Sequence, residues 1–136
     1  MATRKRPTME DRVAEYVDSP SMRMRVKYKK QISARILGVY GDYRTSVSRT
    51  LKNANGTCSC PSEIWPCKHI LALRKTWDVN PDSFFDLDKF LKDLGKQPQE
   101  WLVEMIGSIT SQFPECLSVL GVPGFDAEDE NSGLEY

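Results

Sequence analysis

Cys58-Ser59-Cys60-Pro61-Ser62-Glu63-Ile64-Trp65-Pro66-Cys67-Lys68-His69 is the stretch whose reading decides the fold. It runs C-x-C, six residues, then C-x-H. It holds three of the four cysteines and the single histidine of a 136-residue chain. A cysteine cluster beside the sole histidine reads as a metal site rather than a disulfide framework in a reducing compartment. Zn²⁺ favours thiolate sulfur and imidazole nitrogen in a tetrahedron, and Cys3His is a standard closed set. Residues i and i+2 of a strand share a face, so Cys58 and Cys60 are expected on a short strand, Thr57 to Cys60. Cys67 and His69 are expected in the turn entering a helix, with Pro66 suited to that entry. Four protein ligands leave no open position for catalysis, and Glu63 reads as a solvated loop residue. One structural zinc ion is therefore expected, with Cys58, Cys60, Cys67 and His69 as its ligands. Such an ion contributes on the order of 10–16 kcal/mol in small modules. That is comparable with the stability of a whole domain.

Working outward, Asn55-Gly56 is a hairpin-turn pair, since both residues tolerate positive φ. Before it, Tyr43 to Leu51 and Ile32 to Tyr40 read as strands, joined through a turn at Gly41-Asp42. From Met22 to Lys29 the sequence alternates strictly. Met22, Met24, Val26 and Tyr28 are apolar, while Arg23, Arg25, Lys27 and Lys29 are basic. Period two marks a strand with one buried face and predicts a row of four cations on the other. Glu10 to Asp18 reads as a short helix ended by Ser19-Pro20. After Cys67, the spacing of Ile70, Leu71, Leu73 and Trp77 predicts a helix to about Trp77. Asn80-Pro81-Asp82 is a helix-start signal for an element reaching Leu94, with Gly95 as its stop. Pro98 opens a further helix, with Trp101, Met105, Ile109 and Phe113 as its buried stripe. A helical turn is expected from Glu115 to Leu120.

The stretch Cys-Ser-Cys-Pro, six-residue spacing, then Cys-Lys-His-Ile-Leu-Ala-Leu resembles the SWIM zinc finger family, whose pattern is C-x-C, a variable gap, then C-x-H on a β-β-α unit. Cys58, Cys60, Cys67 and His69 match it, Pro61, Lys68, Ile70, Ala72 and Leu73 are in keeping, and the resemblance covers residues 32–77. The segment Asp82 to Leu120 is similar to the helical tail of some bacterial and archaeal SWIM proteins. The resemblance implies a zinc-binding module with no catalytic activity of its own. Such modules occur in remodelling ATPases, Mutator-type transposases, a kinase and recombination factors that partner recombinase paralogues. The roles it implies are DNA binding and protein–protein interaction. These residues include no ATPase or transposase domain, so those larger functions do not carry over.

The expected architecture is α+β: a small antiparallel sheet, a zinc-stapled β-β-α unit, and a C-terminal helical subdomain packed against it. Residues 1–8 read as a flexible basic arm, 9–77 as the SWIM-type zinc-binding domain, 78–121 as the helical subdomain and 122–136 as an acidic disordered tail. No secretory leader is visible, and no stretch approaches the roughly 18 apolar residues of a membrane span. An intracellular, cytoplasmic protein is expected, with nucleoid association consistent with its charge.

A formal net charge of zero hides a split. Residues 1–77 carry 16 Lys and Arg against 6 Asp and Glu, a surplus of ten, while residues 78–136 carry 3 against 13, a deficit of ten. Either the positive half binds a polyanion or the halves neutralise each other on folding. The candidate nucleic-acid residues are Arg23, Arg25, Lys27, Lys29, Arg35, Arg44 and Lys68, with DNA as the expected partner. Tyr28, Tyr40 and Tyr43 lie near these cations and would stack on bases if exposed, although half-buried sheet tyrosines are the commoner arrangement. The competing function is a protein-interaction adaptor. It rests on the helical half, where Phe84, Phe85, Leu87, Phe90, Leu91, Trp101, Leu102, Val103 and Ile106 are apolar on more than one face. Neither function needs a small-molecule substrate or a membrane.

Overall fold

A computed structural model describes residues 6–52 and 55–125. The arm residues 1–5 and the tail residues 126–136 lie outside the described residues. The chain forms two units, dividing between Leu91 and Lys92.

The first unit opens with helix α1 (Met9–Tyr16), started by a capping box in which Thr8 and Asp11 bond each other's backbone N–H. Strands β1 (Met22–Tyr28), β2 (Gln31–Leu37), β3 (Asp42–Ser48) and the two-residue β4 (Thr57–Cys58) follow. Helix α2 (Lys68–Val79) comes next, then a 3-10 turn (Pro81–Ser83), strand β5 (Phe85–Asp86) and helix α3 (Leu87–Leu94), within which the division falls. The sheet order is β4-β3-β2-β1-β5. Neighbours from β1 to β4 are antiparallel, but β5 pairs in parallel with β1, Val26 against Phe85 and Lys27 against Asp86. The sheet is therefore mixed: its first four strands are antiparallel, as expected, and the parallel β5 is an addition at the β1 edge. The reason lies in the segment after Asn80. The start signal there makes only one 3-10 turn before the chain extends along the β1 edge, and α3 begins at Leu87.

Alternation sorts the two sheet faces. Ile32, Ala34 and Ile36 of β2 and Thr45 and Val47 of β3 are buried under α2, whose Ile70, Ala72, Leu73 and Thr76 face them. Val13 and Tyr16 of α1 join this core, together with Met22, Cys67 and Phe84. Thr76 is a buried hydroxyl with both roles filled: it donates to the Ala72 carbonyl (2.7 Å) and accepts from the Asp18 N–H (2.9 Å). That bond ties the α1 exit to α2.

β1 departs from strict alternation. Its register against β2 shifts between Arg23 and Val26, and Met24 takes φ 53°. This β-bulge turns Met24 outward, 74% exposed, and re-aims its neighbour. Arg25 leaves the expected row, only 12% of its side chain exposed. Its guanidinium donates to the carbonyls of Met22 and Ser19 (3.0 Å each), to Ser83 Oγ (2.8 Å) and to the Asp18 carboxylate. A planar five-donor fork is the side chain suited to such a junction.

The second unit contains α4 (Gln99–Gln112) and a 3-10 turn (Pro114–Ser118). The helix begins after Pro98 as expected, but none of its residues is buried. Trp101, Met105, Ile109 and Phe113 are exposed, contrary to the buried stripe expected of them. Periodicity marks one face of a helix; it does not supply the surface that would cover it. Among the described residues, no helix is long and apolar enough to cross a membrane.

Two outcomes follow for stability. Leu73→Ala empties a fully buried site and should cost about 2–5 kcal/mol in urea unfolding. Hydrogen bonds from Arg25 and Asn80 hold Asp18 below its ordinary 3.8. The Lys29 backbone N–H and the Lys27 ammonium do the same for Asp88. Their contribution is complete above about pH 5 and is lost as pH falls through and below about 4. Asp18→Asn and Asp88→Asn should flatten that acid limb of the unfolding midpoint.

Candidate metal centre and basic surface

Each of the four ligands is set by a different local device. Cys58 ends β4, where it pairs with Thr45 of β3. Ser59 continues that edge, its N–H donating to the Arg44 carbonyl (3.1 Å) and its Oγ accepting from the Arg44 N–H (2.9 Å). These bonds carry Cys60 back to the side of Cys58. The loop from Pro61 to Pro66 holds a tight turn in which Ser62 Oγ bonds both the N–H and the carbonyl of Ile64. Cys67 is the N-cap of α2 with extended backbone, and His69 is the second residue of the helix. The expectation placed both in an irregular turn; His69 is already helical. An extended cap followed by a first turn brings i and i+2 together.

The four ligand atoms lie within 4.8 Å of one another. His69 Nδ1 is 3.7 Å from Cys58 Sγ and 3.9 Å from Cys67 Sγ. A zinc tetrahedron with bonds of about 2.3 Å has edges of about 3.8 Å, so the cluster fits the ion with little movement. Cys67 and His69 are buried, while Cys58 and Cys60 are partly so. The electrostatics also ask for a cation. The hydrogen bond from Cys67 pushes the Cys58 thiol down to about 3, and the same bond together with burial pushes the Cys67 thiol up. A coordinated Zn²⁺ would stabilise these crowded sulfurs as thiolates. Thr45 Oγ1, 3.3 Å from Cys58 Sγ, is placed to donate to that thiolate. The imidazole of His69 is held between Tyr16 and Tyr43, ring centroids 5.0 Å from each. Thr45, Tyr16 and Tyr43 support the ligands from β3 and α1. Only strand register and helix packing bring them there, so no sequence spacing points to them.

Residues 41–73 match the SWIM zinc finger family. The matched segment spans β3, β4, the ligand loop and the first half of α2, with all four ligands inside it. The family match and the compact Cys3His cluster together support one structural zinc ion. No curated protein and no solved structure matches the chain.

The basic candidates are not one surface. Arg25 is consumed by the bulge junction described above. Lys27 pairs with Asp88 (3.1 Å) and Asp86 (3.4 Å), so acid from the C-terminal half neutralises it. Lys29 lies in the β1–β2 turn, its ammonium 5.1 Å from the Tyr28 ring centroid. The expected row along β1 is thus overturned. Another row runs across the strands: Arg23 is opposite Arg35, and Arg35 is opposite Arg44. All three stand on the sheet face away from α2, beside Ser33, Ser46 and Thr57. Asp42 pairs with Arg23 (3.2 Å) and reaches Arg35 at 4.0 Å. Lys68 is apart from this row, opening α2 with its ammonium 5.5 Å from the Tyr16 ring centroid.

Chelation of the zinc-loaded protein, or Cys67→Ser, should unfold residues 43–77. Far-ultraviolet circular dichroism and metal analysis would follow it, with one zinc per chain as the starting value. An unchanged thermal transition after verified zinc loss would contradict the structural role.

Proposed function

We propose that this protein is a non-catalytic, zinc-stapled module that binds nucleic acid through the arginine row of its sheet. The observation that carries the reading is Arg23, Arg35 and Arg44 standing opposite one another on three adjacent strands. Like charges directly opposed across a sheet destabilise it. Asp42 offsets one of the three, leaving a surplus of two positive charges. A polyanion relieves the remainder, and guanidinium groups suit the bidentate geometry of phosphate. The flanking hydroxyls of Ser33, Ser46 and Thr57 add neutral donors of the kind that fix a phosphate backbone in register. Zinc serves this surface indirectly. Ser59, between two of its ligands, bonds the Arg44 backbone on both sides. Filled coordination keeps the ion out of chemistry.

The test is a salt series with labelled single- and double-stranded DNA. Arg35→Gln with Arg44→Gln should lower the log–log slope by about 0.7–0.9 for each phosphate no longer neutralised. Lys27→Gln, already paired to two carboxylates, should leave it unchanged. Asp42→Asn should strengthen binding. A slope indifferent to the double substitution would refute the assignment.

One observation favours a second reading, a protein contact through the helical half. Trp101, Val103, Ile106, Ile109 and Phe113 of α4 are all exposed. Under that reading, the arginine substitutions alter no macromolecular binding, and loss of binding follows changes in α4 instead.

A further inference from the structure

The face of the first unit that carries α2 holds a cleft of about 240 Å³ between α1, the β2–β3 turn and the zinc loop. Drug-sized ligands occupy clefts of about 300–1,000 Å³, so this one suits a single small ring. Its walls are unlike those of the arginine row. Tyr16, Tyr40, Tyr43 and His69 contribute four rings, and Met9, Val39, Pro61 and Ile64 supply apolar surface. The charged residues lining it are Arg12 and Lys68, both cations, with no carboxylate among them.

The turn beside the cleft is built to present side chains rather than to bury them. Gly38 N–H donates to the Gly41 carbonyl (2.7 Å) and closes the turn, leaving Val39 and Tyr40 at its tip. They are 80% and 89% exposed. Gly38 is required below them: a Cβ there would lie 2.6 Å from the Tyr43 ring. Tyr43 in turn lies against the His69 imidazole, which fixes the floor. His69 Nδ1 faces the sulfurs, and its buried Nε2 has no hydrogen-bond partner among the described residues. A planar ring answers the aromatic walls. The two cations add a preference for an anionic attachment.

We propose that this cleft takes one unstacked nucleobase of a single-stranded nucleic acid, with Tyr40 as the stacking ring and Arg12 and Lys68 on the adjoining phosphates. The proposal rests on the nucleic-acid reading above and adds a base-contacting site to it. Arg35 and Arg44 stand three residues before Gly38 and three after Gly41. Three strand residues span about 10 Å. A backbone held on the arginine row therefore reaches the turn within one or two nucleotides, and the exposed Tyr40 is where its next base arrives.

The experiment uses the zinc-loaded full chain, a labelled thymidine oligonucleotide and an abasic oligonucleotide of equal length and phosphate count, at low salt. Stacking on one aromatic side chain corresponds to about 5- to 150-fold in affinity. The intact oligonucleotide should bind tighter by at least about 5-fold. Tyr40→Ala should abolish that preference while leaving abasic binding and the thermal midpoint unchanged, since the side chain packs on little. Tyr40→Phe, which keeps the ring, should retain the preference. Equal affinity of the wild-type protein for both oligonucleotides would overturn the base site and leave the arginine row standing. So would a Tyr40→Ala loss of the same size on both. Binding of neither oligonucleotide would overturn both readings.

Discussion

Convergence of three sulfurs and one imidazole nitrogen between β4 and α2 is the constraint on which the first unit depends. β4 is two residues long and could not hold its place on the sheet edge by backbone hydrogen bonds alone. The metal ties this weak edge to the strongest packing element, since Cys67 caps α2 and His69 lies in its first turn. The coupling extends outward through named contacts. Thr45 connects Cys58 to β3, Tyr16 connects His69 to α1, and Ser59 connects the ligand pair to Arg44. A free energy of about 10 kcal/mol concentrated at one point then stabilises the sheet edge, the helix start and the adjoining surfaces together.

Opposite that staple, a second junction organises the far side of the sheet. Arg25 gathers the α1 exit, the carbonyls of Ser19 and Met22, and the turn at Ser83 that delivers β5 to its edge. Asp86 and Asp88 then meet Lys27 and the Lys29 N–H. Part of the charge split along the chain is therefore structural: acid from the C-terminal half neutralises base on β1. Other cations stand apart from that pairing, among them the cross-strand arginines and the pair beside the zinc cleft. Charge count alone does not separate the cations that meet carboxylates within the fold from those that stand exposed.

The readings that survived are those with a rigid local period. The ligand set was legible because C-x-C and C-x-H are short spacings that zinc chemistry restricts severely. Strands β2 and β3, helix α2 and the opening of α4 followed from alternation, helical spacing and a proline start. The failures share one cause. Met22 to Lys29 alternates perfectly in sequence, yet the bulge at Met24 breaks the alternation in space, because Arg25 has more partners at the junction than on the surface. Asn80-Pro81-Asp82 signals a helix, yet the chain makes one turn and extends, because an open strand edge lies beside it. The stripe of α4 was read as buried because apolar spacing identifies a face and carries no information on what meets it.

The sequence by itself determined the metal, its four ligands, the α+β composition and the identity of the principal strands and helices. Each of those depends on chemistry or on spacing within a dozen residues. Tertiary structure alone decided the parallel β5, the bulge, the supports around His69 and the pairing of Arg23, Arg35 and Arg44. It alone also placed three tyrosines around the cleft beside the zinc loop. These depend on strand register and on contacts between residues far apart in the chain, which local periodicity leaves undetermined.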